Sequence, residues 1–152
     1  MGGNKPEELR AYFFNNMYLT GIHAGIQAQH CTAEMFLKYG GDRAYPDNNM
    51  MQHWADTFKT TIVLNGGYAS NLIRIATLLA SNQNPYPWAE FTESEDALNG
   101  CITSVGVVLP EKIFNYERSV REKAETGWGA IAELSDFEKQ LAKEVSACRL
   151  MS

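Results

Sequence analysis

The residues of this chain best placed to do chemistry are His23, Gln27, His30 and Glu34, spaced i, i+4, i+7 and i+11. That spacing puts all four on one face of a helix. An imidazole exchanges a proton near neutral pH, and an amide can orient a water or an oxyanion, so the stripe has the types needed for general acid–base work. Three readings stay open: a solvated helix face, a binding or catalytic face, and a metal site on His23, His30 and Glu34. The two histidines are seven residues apart and no second cluster supplies further ligands, so neither a metal nor another cofactor is expected.

Two further segments carry polar groups at turns. Asn65-Gly66-Gly67-Tyr68-Ala69-Ser70-Asn71 pairs glycines, which bring backbone N–H groups close to a phosphate or carboxylate, with hydrogen-bonding side chains. It lacks the spacings of the common nucleotide-binding glycine motifs, so a purely structural turn is the other reading. The second segment is the acidic turn Glu93-Ser94-Glu95-Asp96, followed by Thr103. One of its carboxylates could polarise His23 or His30, and a solvated turn is the alternative. Trp54 and Tyr86-Pro87-Trp88 could wall a ring-shaped ligand or simply fill a core. Cys31, Cys101 and Cys148 have no CxxC spacing and read as reduced, buried thiols.

These residues need elements to hold them. The aromatic run 11–18 predicts a strand, with Thr20 as the N-cap of a helix from Gly21 to about Tyr39, where Ile22, Ile26, Ala33, Phe36 and Leu37 recur near the 3.6 period. Residues 40–50 are turn formers and predict a loop, followed by a short helical piece over 51–58. The nearly continuous, β-branched run 59–65 predicts a central strand buried on both faces. A helix carrying Leu72, Ile75, Ala76 and Leu79 follows, then a short strand at 89–92, a turn at Asn99-Gly100, and a strand over 101–109 stopped by Pro110. Ser135 and Glu138 form a capping-box pattern opening an amphipathic helix with Phe137, Leu141, Val145 and Cys148 on one side. The sum is a polar leader (1–10), an α/β core with a small mixed four-stranded sheet (11–110) and a helical C-terminal extension (111–152). The extension packs either on the sheet or on a second copy of the chain, making a homo-oligomer.

Composition narrows the partners. With 13 Lys plus Arg against 18 Asp plus Glu, the net charge is −5; affinity built on neutralising many phosphates needs clustered cations, so an extended nucleic-acid surface is not expected. No apolar run approaches a membrane span and the N-terminus lacks a signal-peptide pattern, which predicts a cytoplasmic protein with no membrane partner.

The order of elements and the helix motif resemble the peptidyl-tRNA hydrolases of the second, archaeal and eukaryotic, type over roughly residues 11–110. That family opens with a strand running into a helix bearing Gly-Lys-x-x-x-Gln-x-x-His-Ala, and closes with a turn acid and a Thr-x-x-x-Ile-Gly-Pro strand. Gln27 and His30 fall on the family's glutamine and histidine, Thr103 matches its threonine, and the family's lysine position holds His23. The resemblance implies an esterase in which His23, Gln27, His30, Asp96 and Thr103 are catalytic, with the acid supplied by Glu93, Glu95 or Asp96. More loosely, residues 18–27 with 62–68 resemble small phage proteins of the Thoeris anti-defence type, which sequester cyclic-nucleotide immune signals; that would place the chain in a host cytoplasm. The leading expectation is therefore binding without catalysis. A small nucleotide-like anion would be held by Tyr18, His23, Gln27, His30, Asn65, Gly66, Gly67, Tyr68 and Asn71. Hydrolysis of peptidyl-tRNA is the alternative, and a structural oligomer with the polar helix face at its interface is a third reading.

Overall fold

A computed structural model describes residues 7–40, 49–98 and 100–152; the first part of the leader, most of the 40–50 loop and Asn99 of the Asn99-Gly100 turn lie outside the described residues. The chain forms β1 (Leu9–Asn15), α1 (Ile22–Tyr39), α2 (Met50–His53) continuing into a π-helical turn at Trp54–Phe58, and β2 (Thr61–Asn65). Then come α3 (Ala69–Leu79), β3 (Trp88–Thr92), α4 (Glu95–Leu98), β4 (Ile102–Pro110), α5 (Glu111–Phe114), α6 (Tyr116–Thr126) and α7 (Asp136–Ala147). The expected order of strands and helices and the mixed four-stranded sheet are observed.

The sheet order is β2-β1-β4-β3, with β1 parallel to β2 and antiparallel to β4, and β3 antiparallel to β4. A helix crossover joins the parallel pair, and the short turn between β3 and β4 allows only the antiparallel arrangement. Strand alternation splits the core in two. Leu9, Ala11 and Phe13 pack with Ala28, Cys31, Met35, Met51 and Trp54 beneath α1. On the opposite face Tyr12, Phe14, Val105 and Val107 pack with Leu72, Ile75 and Leu79 of α3 and Phe137, Leu141 and Val145 of α7. The result is a sheet covered on both sides.

Several expectations are corrected. The run 59–65 is an edge strand, not a central one: only Leu64 of β2 is buried. Its outer edge is paired instead by the C-terminus, where the Asn65 N–H donates to Arg149 O at 2.8 Å and the Met151 N–H donates to Val63 O at 2.8 Å. The strands buried throughout are β1, at every residue but Arg10, and β4. The N-cap of α1 is Gly21, at φ +54°, not Thr20, and it makes no side-chain cap bond. Trp54 and Tyr86 belong to opposite halves of the core and form no aromatic wall. The capping box of Ser135 and Glu138 is present, and the apolar face of α7 lies inside this chain's own core, so α7 packs on the sheet, whereas α6 buries none of its residues.

Candidate functional site

The two strand-to-helix turns lie at the same end of the sheet, because β1 and β2 are parallel and α1 and α3 each follow the carboxyl end of its strand. At that end β4 begins, antiparallel to β1, so Ser104 faces Asn15. The ladder between β3 and β4 is irregular here: Phe91 opposes Ser104 while Thr92 opposes Ile102, leaving Thr103 as one extra residue on β4. Such a bulge redirects a side chain. Ile102 packs in the α3-side core, yet the Thr103 hydroxyl turns towards α1 and donates to Gln27 Oε1 at 2.7 Å.

Gln27 is thereby held at both ends. Its Nε2 donates to Glu93 Oε1 at 2.9 Å while its Oε1 accepts from Thr103, so the amide orientation is fixed and its second N–H has no acceptor among the described residues. Gln27 and Thr103 are buried, at 7% and 1% exposure. His30, one turn further along α1, places Nδ1 3.7 Å from Glu93 Oε1, too long for a hydrogen bond, and that buried nitrogen has no partner. Its ring packs edge-on against Phe91 at 4.8 Å. The His30 side chain is 43% exposed, so solvent reaches the imidazole but not its Nδ1.

A buried network beside the cluster sets the seating of α1. Asn15 Nδ2 donates to Ala24 O at 2.7 Å, and Ser104 Oγ donates to Asn15 Oδ1 at 2.8 Å. Asn16 continues it, its Nδ2 donating to Ile102 O at 3.2 Å and its backbone N–H to Thr103 O at 2.9 Å. In the sequence Asn15 and Asn16 carry only one signal of this role, two amides closing an aromatic run.

The remaining expected site residues divide. Of the three turn acids, Glu93 joins the cluster; Glu95 and Asp96 are exposed on α4 and make no hydrogen bond to it. His23 is exposed in the first turn of α1, without a side-chain partner among the described residues, so the four-residue stripe divides into an exposed His23, a buried Gln27 and the half-buried His30 and Glu34. Among the described residues no three His, Cys, Asp or Glu side chains gather as a metal site. Asn65 and Asn71 spend their side chains on their own turn: the Gly67 N–H donates to Asn65 Oδ1 at 3.0 Å and Asn71 Nδ2 donates to Gly66 O at 2.6 Å. Gly66 is needed for packing, since a Cβ there would stand 3.1 Å from Asn15 O. Tyr18 and Tyr68 are exposed with their rings 5.8 Å apart.

Two of the cavities among the described residues lie away from this cluster. One, of about 520 Å³, opens between α3 and β3; the other, of about 730 Å³, lies at the opposite end of the sheet beside Tyr39, Tyr86 and Pro110. None of the nine residues expected to bind a ligand lines either one. No protein-family model and no curated protein matches this chain.

Proposed function

We propose that the protein is a carboxylic-ester hydrolase whose reacting groups are Gln27, His30 and Glu93, with Thr103 as a positioning residue. Peptidyl-tRNA is the substrate class that the resemblance implies. The observation that carries this reading is the doubly anchored Gln27 amide beside an imidazole whose Nδ1 lies unpartnered 3.7 Å from the Glu93 carboxylate. Four residues from a helix, a turn and a bulged strand converge there, and an unpartnered buried nitrogen calls for an explanation that a proton-transfer role supplies. The order of the elements supports the resemblance as well.

In this scheme a water at His30 loses a proton to the imidazole and attacks the ester carbonyl. Closing the short gap to Glu93 stabilises the imidazolium, as catalytic hydrogen bonds tighten on substrate binding. The free N–H of Gln27 faces the oxyanion of the tetrahedral intermediate. Collapse breaks the acyl C–O bond and expels the ribose oxygen, which takes the proton from His30 to become the hydroxyl, and the acid is released. Thr103 contributes by keeping Gln27 from rotating.

A specific observation favours the second reading, sequestration of a nucleotide-like anion. The family's lysine position holds the exposed His23, and no lysine contacts the cluster among the described residues. Against it stands the position of the cavities named above, none of which the expected ligand-binding residues line, because sequestration requires a site that encloses its ligand. A deacylation assay on a peptidyl-tRNA mimic decides between them. Gln27→Ala is expected to lower turnover roughly 100-fold and His30→Ala by about 100-fold or more, with circular dichroism unchanged. A wild type that returns the ester intact, yet retains cyclic nucleotides that are released chemically unchanged, would overturn the hydrolase reading in favour of sequestration.

A further inference from the structure

We propose that the open edge of β3 takes an extended, basic segment of a protein partner as a fifth strand of the sheet, independently of any ester chemistry at the neighbouring cluster. The sheet has two edges, β2 and β3. Residues 149–151 of the chain's own C-terminus close the first. The second has backbone groups to spare. The Val108 N–H donates to Pro87 O at 3.0 Å and the Glu93 N–H donates to Cys101 O at 3.0 Å, which fixes the ladder from both ends. Bonded and non-bonded pairs alternate along antiparallel strands, so Ala89 and Phe91 turn their backbone groups to β4 while Trp88, Glu90 and Thr92 turn theirs outward. Trp88 O accepts from Lys38 Nζ at 2.8 Å. The N–H and C=O of Glu90 and Thr92 have no partner among the described residues.

Four unpaired backbone groups in strand geometry are what an added strand bonds to. Side-chain space accompanies them. The side chains of Trp88, Glu90 and Thr92 lie on one face of β3 and line the cavity of about 520 Å³, whose other wall is Ile73, Ala76 and Ala80 of α3. Ile73 is 56% exposed. A strand laid along β3 would send alternate side chains into this groove, and small residues on α3 leave room for them.

Charge selects the partner. Glu90 is exposed in the middle of the edge and makes no ion pair among the described residues. Glu34 flanks the same edge from the other face of the sheet, because it lies on α1 between His30, which packs on Phe91, and Lys38, which reaches Trp88. Lys38 is already engaged with the Trp88 carbonyl and ring. The incoming strand therefore meets two carboxylates, in a chain of net charge −5, and basic side chains complement them. A second copy of β3 does not, since full antiparallel overlap would set Glu90 opposite its own equivalent.

The test is an NMR titration of the full chain with a capped peptide, Val-Thr-Arg-Thr-Val, whose arginine falls opposite Glu90 and whose valines enter the groove. Binding at about 1 mM or below is expected, with slowed amide exchange at Glu90 and Thr92. Methylating the backbone nitrogen of the arginine should weaken binding about tenfold or more, because it removes the donor aimed at Glu90 O. Exchanging that arginine for glutamate should weaken binding about fivefold, and Glu90→Lys should reverse the preference between the two peptides. Absence of wild-type binding, a methylated peptide that binds as well as its parent, or an unchanged preference in Glu90→Lys would each overturn the proposal. So would amides of Glu90 and Thr92 that are already protected in the wild type without peptide, since a second copy of the chain would then close the edge.

Discussion

Asn15 is fully buried, and both ends of its amide are engaged, donating to the Ala24 carbonyl and accepting from the Ser104 hydroxyl. It is the only connection of this kind between the last residue of β1, the first turns of α1 and the start of β4 among the described residues. Removing it leaves a buried hydroxyl and a carbonyl short of partners, a loss of about 1–3 kcal/mol. Asn15→Ala is therefore expected to lower the unfolding free energy by that amount, read as a lower urea midpoint, and Asn15→Asp by more, since a carboxylate cannot donate to Ala24 and would be buried with its charge. A midpoint unchanged in both variants would show that the amide is dispensable. Cys31, packed nearby, is of the opposite kind. Burial pushes its thiol up to about 12, so it remains protonated at neutral pH and competes neither as a nucleophile nor as a base.

The seating of α1 depends on a single missing side chain in β4. A Cβ at Gly106 would stand 2.7 Å from the Phe13 ring and 3.1 Å from Cys31 Sγ, so α1 can lie this close to the sheet only over a glycine. Gly106→Ala is expected to cost about 1–3 kcal/mol and, by lifting α1, to lengthen the contacts of Gln27, which lies one turn before Cys31. Denaturation together with the deacylation assay checks this; a stable variant of full activity would mean that the helix has room to spare. What could be read locally in the sequence followed the same division. The capping box of α7 is a signal carried by neighbouring residues and marked its element correctly. The periodicity of Ile22, Ile26, Ala33, Phe36 and Leu37 marked α1 as a helix but on the wrong face: Ile22, Phe36 and Leu37 are exposed, and the buried side is Ala24, Gln27, Ala28, Cys31 and Met35. The expected acidic turn holds α4. The run Ile62-Val63-Leu64 carries an equally local signal, but it is covered by residues 149–151 at the far end of the chain, so apolar continuity alone could not separate an edge strand from a central one. The bulge at Thr103 explains the site in the same terms. Glu93, Glu95 and Asp96 were equivalent as turn acids, and which one reaches Gln27 depends on how the irregular β3–β4 ladder ends.

Across the whole molecule, α7 is bound to the rest of the chain by ion pairs as well as by its apolar face. Arg74 of α3 meets Glu144 at 2.7 Å and 2.8 Å through two nitrogens, while Glu138 accepts from the Tyr86 hydroxyl and lies 3.3 Å from Lys112. The hydrogen bonds from Arg74 hold the Glu144 carboxyl below its ordinary value, outweighing its partial burial. At Glu138 burial pushes the other way, and the donors Tyr86, the Ser135 N–H and Lys112 together overcome it, so that carboxyl also titrates low. A carboxyl with a depressed folded-state pKa binds its proton more readily in the unfolded chain. Its stabilisation is therefore complete above the usual carboxyl range and disappears as pH falls through the folded value. The protein should lose thermal stability progressively below about pH 4.5, and Glu144→Gln should flatten that acid limb. At neutral pH the same substitution should cost only about 1 kcal/mol or less, because Arg74 is 52% exposed and water screens the pair. Melting temperatures of wild type and Glu144→Gln from pH 7 to pH 3 measure both effects. Curves that stay parallel over the whole range would show that the attachment of α7 owes nothing to this pair.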